Sequence, residues 1–181
     1  GSLSKNAVLA MNKGAKMGNF AHNTGEGGIS DYHLEHGGDL IWQIGTGYFG
    51  CRNDDGTFND VTFRENATRP QVKMIELKLS QGAKPGHGGI LPAAKNTPEI
   101  ARIRHVQPGI AVHSPPSHNA FADPIEFMYF IKRLRDLSDG KPIGFKLCLG
   151  RKQEFMDFCE AMVYKGKIGR AGGGKECRSG W

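Results

Sequence analysis

Hydrophobic residues recur at helical spacing most clearly between residues 125 and 137. One face of a helix there would carry the apolar residues Phe127, Phe130, Ile131 and Leu134. Asp123 can cap the first turn, Pro124 fits inside it, and Glu126 is placed to reach back to the cap. The pattern therefore predicts an amphipathic helix from Ile125 to about Leu137.

Short apolar runs on both sides of this helix predict strands. Residues 109–114 are β-branched and short, and residues 142–149 read as a buried strand. We expect these two strands to be parallel neighbours joined by the helix, because a strand–helix–strand unit connects parallel strands. A further strand is predicted at residues 74–79, just before a glycine-rich loop.

Two more helices complete an alternating pattern. Residues 153–163 are amphipathic, and Thr97-Pro98-Glu99 opens a short helix. Alternating strands and helices favour a parallel sheet, either doubly wound or closed into a barrel. In both folds ligands lie beyond the carboxyl ends of the strands, so the loops after Leu79, Ser114 and Leu149 form the expected active face.

Two glycine-rich loops could carry chemistry. Residues 79–92 hold four glycines together with Gln81 and Lys84, and glycines let backbone N–H groups approach an anionic or planar ligand. Residues 23–28 form a second loop rich in hydrogen-bonding side chains. For each loop a plain surface turn explains the composition as well as a ligand site does.

Basic residues outside these loops could either contact a ligand or simply lie in solvent. Lys146 lies inside an apolar strand, so its ammonium either reaches outward or meets an anion. His118 follows a proline pair, and an extended loop with a solvent-exposed imidazole is the simplest interpretation. Arg102 and Arg104 are typical of solvated helix residues.

Composition excludes several classes of protein. The chain has 181 residues, of which 38% are hydrophobic, as expected for one globular domain. Of the net charge of +6, most lies in residues 165–181, with five basic residues and one acid, so we expect no nucleic-acid partner. Four widely spaced cysteines predict neither disulfides nor a metal site. Without a long apolar run or a signal sequence, we expect a cytoplasmic protein with no membrane contact.

Several segments in order resemble the FMN-binding domain of glutamate synthases and of their shorter relatives. FMN here is flavin mononucleotide. The matching segments are residues 1–4, 10–12, 23–28, 45–50, 78–92, 97–104, 114–116 and 145–147. The long Gln-Gly-Ala-Lys-Pro-Gly loop that begins at Gln81 is the most specific of them.

The resemblance implies a (β/α)8 TIM-type barrel with FMN across the carboxyl ends of its strands. By resemblance, the cofactor-binding residues are Ser2, Asn23, Thr24, Glu26, Gln81, Lys84 and Lys146. The substrate-binding residues would be Gln81, Lys84 and Arg104, and the catalytic residues Lys84 and Lys146. We expect Gln81, Lys84, Arg104 and Lys146 to converge on one concave face.

The implied activity is reduction of 2-iminoglutarate, formed from 2-oxoglutarate and ammonia, to glutamate. A 2-oxo acid of the 2-oxoglutarate class is the implied substrate, and the implied partners are an electron-donor protein or a glutaminase. A dicarboxylate needs fixed cations such as Lys84 and Arg104, and a reduced flavin needs a cation near its pyrimidine edge, which the resemblance assigns to Lys146.

The chain departs from the family in three ways. Ile90 replaces a glutamine before Leu-Pro, and the cysteines of the family's iron–sulfur cluster and its glutaminase domain are missing. A complete barrel needs about 250 residues, so we expect only its N-terminal part, at residues 1–163. Residues 164–181 are expected to be a poorly ordered, glycine-rich basic tail. The alternative is a truncated, inactive fragment that does not retain FMN alone.

Overall fold

The computed structural model describes residues 3–82 and 86–168, and side chains as far as residue 164. The helices are α1 (Lys5–Gly18), α2 (Asp31–Leu34), α3 (Asp60–Ala67), α4 (Pro98–Arg104), α5 (Pro124–Leu137) and α6 (Lys152–Ile168). The strands are β1 (Ala21–Asn23), β2 (Asp39–Ile44), β3 (Val72–Lys78), β4 (Ile90–Leu91), β5 (Val112–His113) and β6 (Ile143–Lys146). Strands and helices alternate over most of this length.

Four strands form a parallel sheet in the order β1-β2-β3-β6. Asn23 pairs with Ile41 at the end of β1, and Ile44 pairs with Leu77 at the end of β2. All three pairings in the sheet are parallel, so the carboxyl ends of its strands lie at one edge. The prediction of an α/β fold, as part of a TIM-type barrel, is confirmed.

The predicted pairing of residues 109–114 with residues 143–149 is wrong. β5 contains only Val112–His113 and pairs antiparallel with β4, while β6 pairs with β3. Ser114 N–H donates to the carbonyl of Gly89 at 2.9 Å, and Pro115 and Pro116 follow directly. Because proline has no N–H to donate, the strand ends there and does not enter the main sheet.

Helix α5 begins as predicted. A carboxylate oxygen of Asp123 accepts from the N–H groups of Ile125 and Glu126, both at 2.8 Å. Glu126 reaches back one residue further than expected and accepts from the N–H of Ala122 at 2.8 Å. The predicted apolar face is confirmed: its phenylalanines and Leu134 are buried, and Ile131 packs against the same core.

Helix α6 starts as predicted but continues beyond Val163 to Ile168. The first residues of the expected tail therefore belong to this helix. The remainder of the tail, residues 169–181, lies outside the described residues.

The main core lies between one face of the sheet and helices α3 and α5. Ile75 and Leu77 of β3 are fully buried there, and Trp42 of β2 stacks on Phe63 with ring centroids 5.5 Å apart. Phe127 of α5 closes the same core. Within the described part of the chain, no helix is both long enough and apolar enough to cross a bilayer.

Candidate functional site

Three side chains meet at the carboxyl ends of the strands and form what we call the Glu26 cluster: Glu26, Lys78 and Gln81. The Lys78 ammonium lies 3.1 Å from Glu26 Oε2 and donates to Gln81 Oε1 at 2.8 Å. The Gln81 amide in turn donates to both carboxylate oxygens of Glu26, each at 3.2 Å. Each member therefore contacts the other two.

The position of Lys78 follows from the pattern of β3. Ile75 and Leu77 are buried in the main core, so alternate residues such as Glu76 and Lys78 lie on the opposite face of the sheet. Only 13% of the Lys78 side chain is exposed. Since a largely buried ammonium is costly without acceptors, Glu26 and Gln81 stabilise it.

The end of β1 is joined to this face by a second set of hydrogen bonds. Glu76 Oε1 accepts from the amides of Asn23 at 3.0 Å and Gln43 at 2.5 Å. The Thr24 hydroxyl accepts from Gln43 N–H at 3.1 Å and donates to the carbonyl of Gly25. Asn23 and Thr24 are thus fixed beside the loop that carries Glu26.

Gly45, directly after β2, allows the loop of Glu26 to approach the sheet closely. A Cβ atom at this position would lie 2.8 Å from Glu26 Oε2. With any larger residue at this position, the Glu26 carboxylate would have to shift. The glycine therefore leaves room for the carboxylate in its observed position.

Lys146 is the last residue of β6 and lies opposite Lys78 in the sheet register. Its side chain is exposed, and among the described residues none forms an ion pair or side-chain hydrogen bond with it. The outward orientation allowed by the sequence is thus observed. An anion bound at this edge of the sheet would have Lys146 available as a partner.

Arg104 differs from the solvated helix residue that the sequence suggested. It is half-buried, and its guanidinium carbon lies 4.6 Å from the centre of the Phe49 ring. Burial lowers the pKa of Arg104 from its ordinary value, while the negative charge of Glu26 opposes this shift. Its Nε atom is buried without a hydrogen-bond partner in the described structure. Arg102 is exposed and pairs with Asp31, as expected for a surface residue.

A segment that we call the strap, residues 114–121, crosses the ends of β2 and β3. The Thr46 hydroxyl donates to the carbonyl of Pro115 at 2.7 Å. His118 contacts the carbonyl of Lys78 at 3.0 Å. The prediction of a solvent-exposed His118 is wrong: the residue is only 5% exposed, because its ring packs against Tyr48 and stacks on Phe121. This burial lowers the pKa of the imidazole.

The structure thus brings together most of the site residues inferred from the sequence. Gln81 and Glu26 are in direct contact, Arg104 is within the electrostatic influence of Glu26, and Lys146 lies on the adjacent strand. Ser2 and Lys84 lie outside the described residues.

Sequence reasoning missed three residues that build the same face. Lys78, Glu76 and Gln43 were not assigned a role, although all three hold site residues in place. The available signal was the alternation of charged and apolar residues from residue 75 to residue 78. A charge at every second position of an apolar strand indicates a polar face opposite the core.

Comparison with known proteins shows that the chain is similar to glutamate synthases and related proteins. The family model described as the conserved region in glutamate synthase matches residues 1–173. The chain is 44% identical over 168 residues to the glutamate synthase large subunit-like protein YerD of Bacillus subtilis (strain 168), covering 92% of this chain and 32% of that protein. It is 33% identical over 150 residues to the archaeal-type glutamate synthase [NADPH] of Thermotoga sp. (strain RQ2), covering 81% of this chain and 27% of that protein.

A larger protein shows the same likeness. The glutamate synthase [NADPH] large chain of Bacillus subtilis (strain 168) is 35% identical over 158 residues, which are 81% of this chain and 9% of that protein. The chain spans about a third or less of the length of these relatives. Because the family model covers nearly all of the chain, the chain belongs to the glutamate synthase family.

Proposed function

We propose that this chain is part of an FMN-dependent oxidoreductase that reduces 2-iminoglutarate, formed from 2-oxoglutarate and ammonia, to glutamate. The carrying observation is the placement of the Glu26 cluster, Arg104 and Lys146 at the carboxyl end of a parallel sheet. Ligands bind at this end in barrel and doubly wound folds. The names of the relatives support the choice of reaction.

The residues at this edge have the chemistry that FMN requires. Gln81 and Asn23 are amides near the strand ends, and Lys146 is an exposed cation for a ring that becomes anionic on reduction. Arg104 has a buried N–H without a partner in the described structure. When bound, FMN would supply the hydride. We infer that Ser2, Asn23, Thr24, Glu26, Gln81, Lys84 and Lys146 hold it.

Arg104 is the residue that we assign to a substrate carboxylate. Its guanidinium is oriented by the Phe49 ring and is half-buried, so a carboxylate would bind it with little competition from water. Gln81 and Lys84 would complete the substrate contacts. The Glu26 carboxylate accepts from the Gln81 amide and pairs with the Lys78 ammonium, so it orients both side chains.

Electrons and ammonia would come from other proteins or domains. We propose an electron-donor protein and a glutaminase as partners, because the reaction consumes two electrons and one ammonia for each glutamate formed. Within the described residues, no group of three or more His, Cys, Asp or Glu side chains is arranged to bind a metal.

The test uses the full-length protein that carries this chain. Purified protein should show the absorbance of bound flavin. After anaerobic reduction, mixing with 2-oxoglutarate and ammonium should reoxidise the flavin and release glutamate. Reduced flavin that stays reduced with this pair of substrates would contradict the proposed reaction, and a full-length protein that does not bind FMN would contradict the cofactor.

A second proposal concerns the 181-residue chain by itself: it does not retain FMN alone and is inactive. The sheet favours this alternative, because β1 and β6 each pair on one side only in the described structure. To test this, the chain and the full-length protein are each purified in the same buffer with added FMN, and their flavin contents are compared. The alternative predicts flavin in the full-length protein only. Equal flavin content would contradict the alternative.

A further inference from the structure

We infer that His118 is a positioning residue that holds the Glu26 cluster in place through the carbonyl of Lys78. The importance of the cluster for FMN rests on the proposed function, whereas the contact between His118 and Lys78 does not. His118 Nε2 lies 3.0 Å from the carbonyl oxygen of Lys78. A carbonyl only accepts, so the imidazole must carry its proton on Nε2.

The Lys78 carbonyl lies where the pairing of β2 with β3 stops. The last register pair between these strands is Ile44 with Leu77, one residue before Lys78. The next N–H, of Leu79, donates to the carbonyl of Lys146 on β6. The C=O of Lys78 and the N–H of Leu79 belong to one trans peptide unit and point in opposite directions, so the Lys78 carbonyl points away from β6 and toward β2. His118 therefore supplies the donor that β2 no longer provides.

The imidazole is held firmly enough to perform this role. Its centroid lies 5.1 Å from that of Phe121, nearly parallel to it, and 5.1 Å from that of Tyr48. The Tyr48 hydroxyl also accepts from the N–H of Ala120 at 3.3 Å, which fixes the strap two residues after His118. His118 Nδ1 is buried and has no hydrogen-bond partner among the described residues. The contact with Lys78 is thus the only side-chain hydrogen bond of the ring within the described structure.

The effect on the cluster follows from connectivity. Lys78 carries the ammonium that contacts both Glu26 and Gln81, and its backbone position fixes where that ammonium can reach. If the carbonyl of Lys78 lost its donor, the end of β3 would be free to shift away from the strap. The Gln81 amide would then lose its fixed geometry with Glu26.

Two substitutions of His118 separate the hydrogen bond from the ring. His118→Phe keeps an aromatic ring between Tyr48 and Phe121 but removes the donor, and His118→Gln restores an N–H at a similar reach. His118→Met is a second donor-free variant. Phe130→Leu is the control, because Phe130 is a buried core residue whose ring is tilted against that of Phe121 and makes no ring contact with His118 in the described structure. It lowers stability without removing the donor.

The readouts are the side-chain amide signals of Gln81 in protein labelled with nitrogen-15 glutamine, and the Kd for FMN. The donor-free variants should move the Gln81 signals toward those of a free glutamine side chain and raise the Kd about tenfold, the effect of one lost hydrogen bond. His118→Gln should restore both values, and Phe130→Leu should leave them unchanged.

Unchanged Gln81 signals in the donor-free variants would overturn the inference, and so would equal changes in Phe130→Leu. If the unsubstituted protein does not bind FMN, the proposed function fails. The Gln81 signals then still decide whether His118 positions the cluster.

Discussion

Lys78 and Lys146 lie opposite each other on adjacent parallel strands, and of the two only Lys78 contacts a carboxylate in the described structure. Directly opposite side chains of adjacent strands lie on the same face of the sheet, so the two like charges repel each other. Glu26 neutralises one of them. The other is exposed at the sheet edge, where under the proposed function it would stabilise negative charge on the bound flavin.

Replacing Lys146 by methionine should therefore slow the step in which negative charge builds up on the flavin, which is its reduction. In the full-length protein, we expect Lys146→Met to lower the rate of flavin reduction about tenfold to a hundredfold, with the protein still folded. Stopped-flow absorbance of the oxidised protein mixed with dithionite measures this rate. Lys73→Met is the matched control, since Lys73 is an exposed lysine near the amino end of β3 that pairs with Asp39. Equal rates in the two variants would remove the role assigned to Lys146.

Arg104→Ala should mainly weaken binding of the dicarboxylate. The loss of one charge-assisted contact corresponds to a KM for 2-oxoglutarate raised about 10- to 100-fold, with a smaller change in kcat. Arg102→Ala on the same helix is the control, because Arg102 is exposed and paired with Asp31. Steady-state kinetics of both variants provide the comparison. A drop in kcat at unchanged KM would show that Arg104 acts in the chemical step instead.

Gly45→Ala should disturb the cluster by steric contact. The added methyl group would lie 2.8 Å from Glu26 Oε2, so the carboxylate must move. We expect weaker FMN binding, measured by quenching of flavin fluorescence. Gly14→Ala in α1 is the control, since a Cβ there meets no atom within 4 Å and alanine favours a helix by about 1 kcal/mol. If Gly45→Ala binds FMN as tightly as Gly14→Ala does, the close approach is not needed.

The stability of the protein should decrease in mild acid because of His33. Its Nδ1 accepts from the N–H of Ser30 at 3.0 Å, and burial lowers its pKa from 6.5 to about 4, with the charge of His22 as the next cause. The unfolded chain therefore binds a proton between pH 6.5 and 4 that the folded chain does not. The free energy of unfolding should fall over this range, by about 2 to 3 kcal/mol, as pH is lowered.

Urea denaturation of the protein at several pH values tests this expectation. His33→Asn, which keeps an acceptor but does not titrate, should show a smaller decrease over the same range. Identical pH profiles for the two proteins would mean that His33 does not control the acid sensitivity.

Two of the four strands of the main sheet, β3 and β6, could be inferred from local patterns, whereas β1 and β2 are not among the predicted strands. The strand near residues 72–78 and helices α4 and α5 are marked by capping residues and apolar spacing that depend only on nearby residues. The partner of Val112–His113 could not be inferred in this way. A short β-branched run is compatible with a buried parallel strand or with a two-residue antiparallel strand, and the choice depends on pairing with Ile90 and Leu91, far away in the chain.

In the candidate site, too, contacts between residues far apart in the chain could not be inferred from local patterns. Gln81 and Glu26 belong to specific motifs, but Lys78, which contacts both of them in the structure, lies in a strand whose sequence pattern does not mark it as a site residue. The burial of His118 depends on rings contributed by Tyr48 and Phe121. Tertiary packing of this kind leaves no periodic signal in the sequence around the histidine.

The most direct test of the central claim is a crystal structure of the full-length protein with FMN. The claim is that the carboxyl end of the parallel sheet, around the Glu26 cluster and Lys146, binds the flavin ring. We expect electron density for the ring at that edge, in contact with Gln81 and Lys146. Density for FMN at the amino end of the strands, or on the helical side of the sheet, would contradict the account.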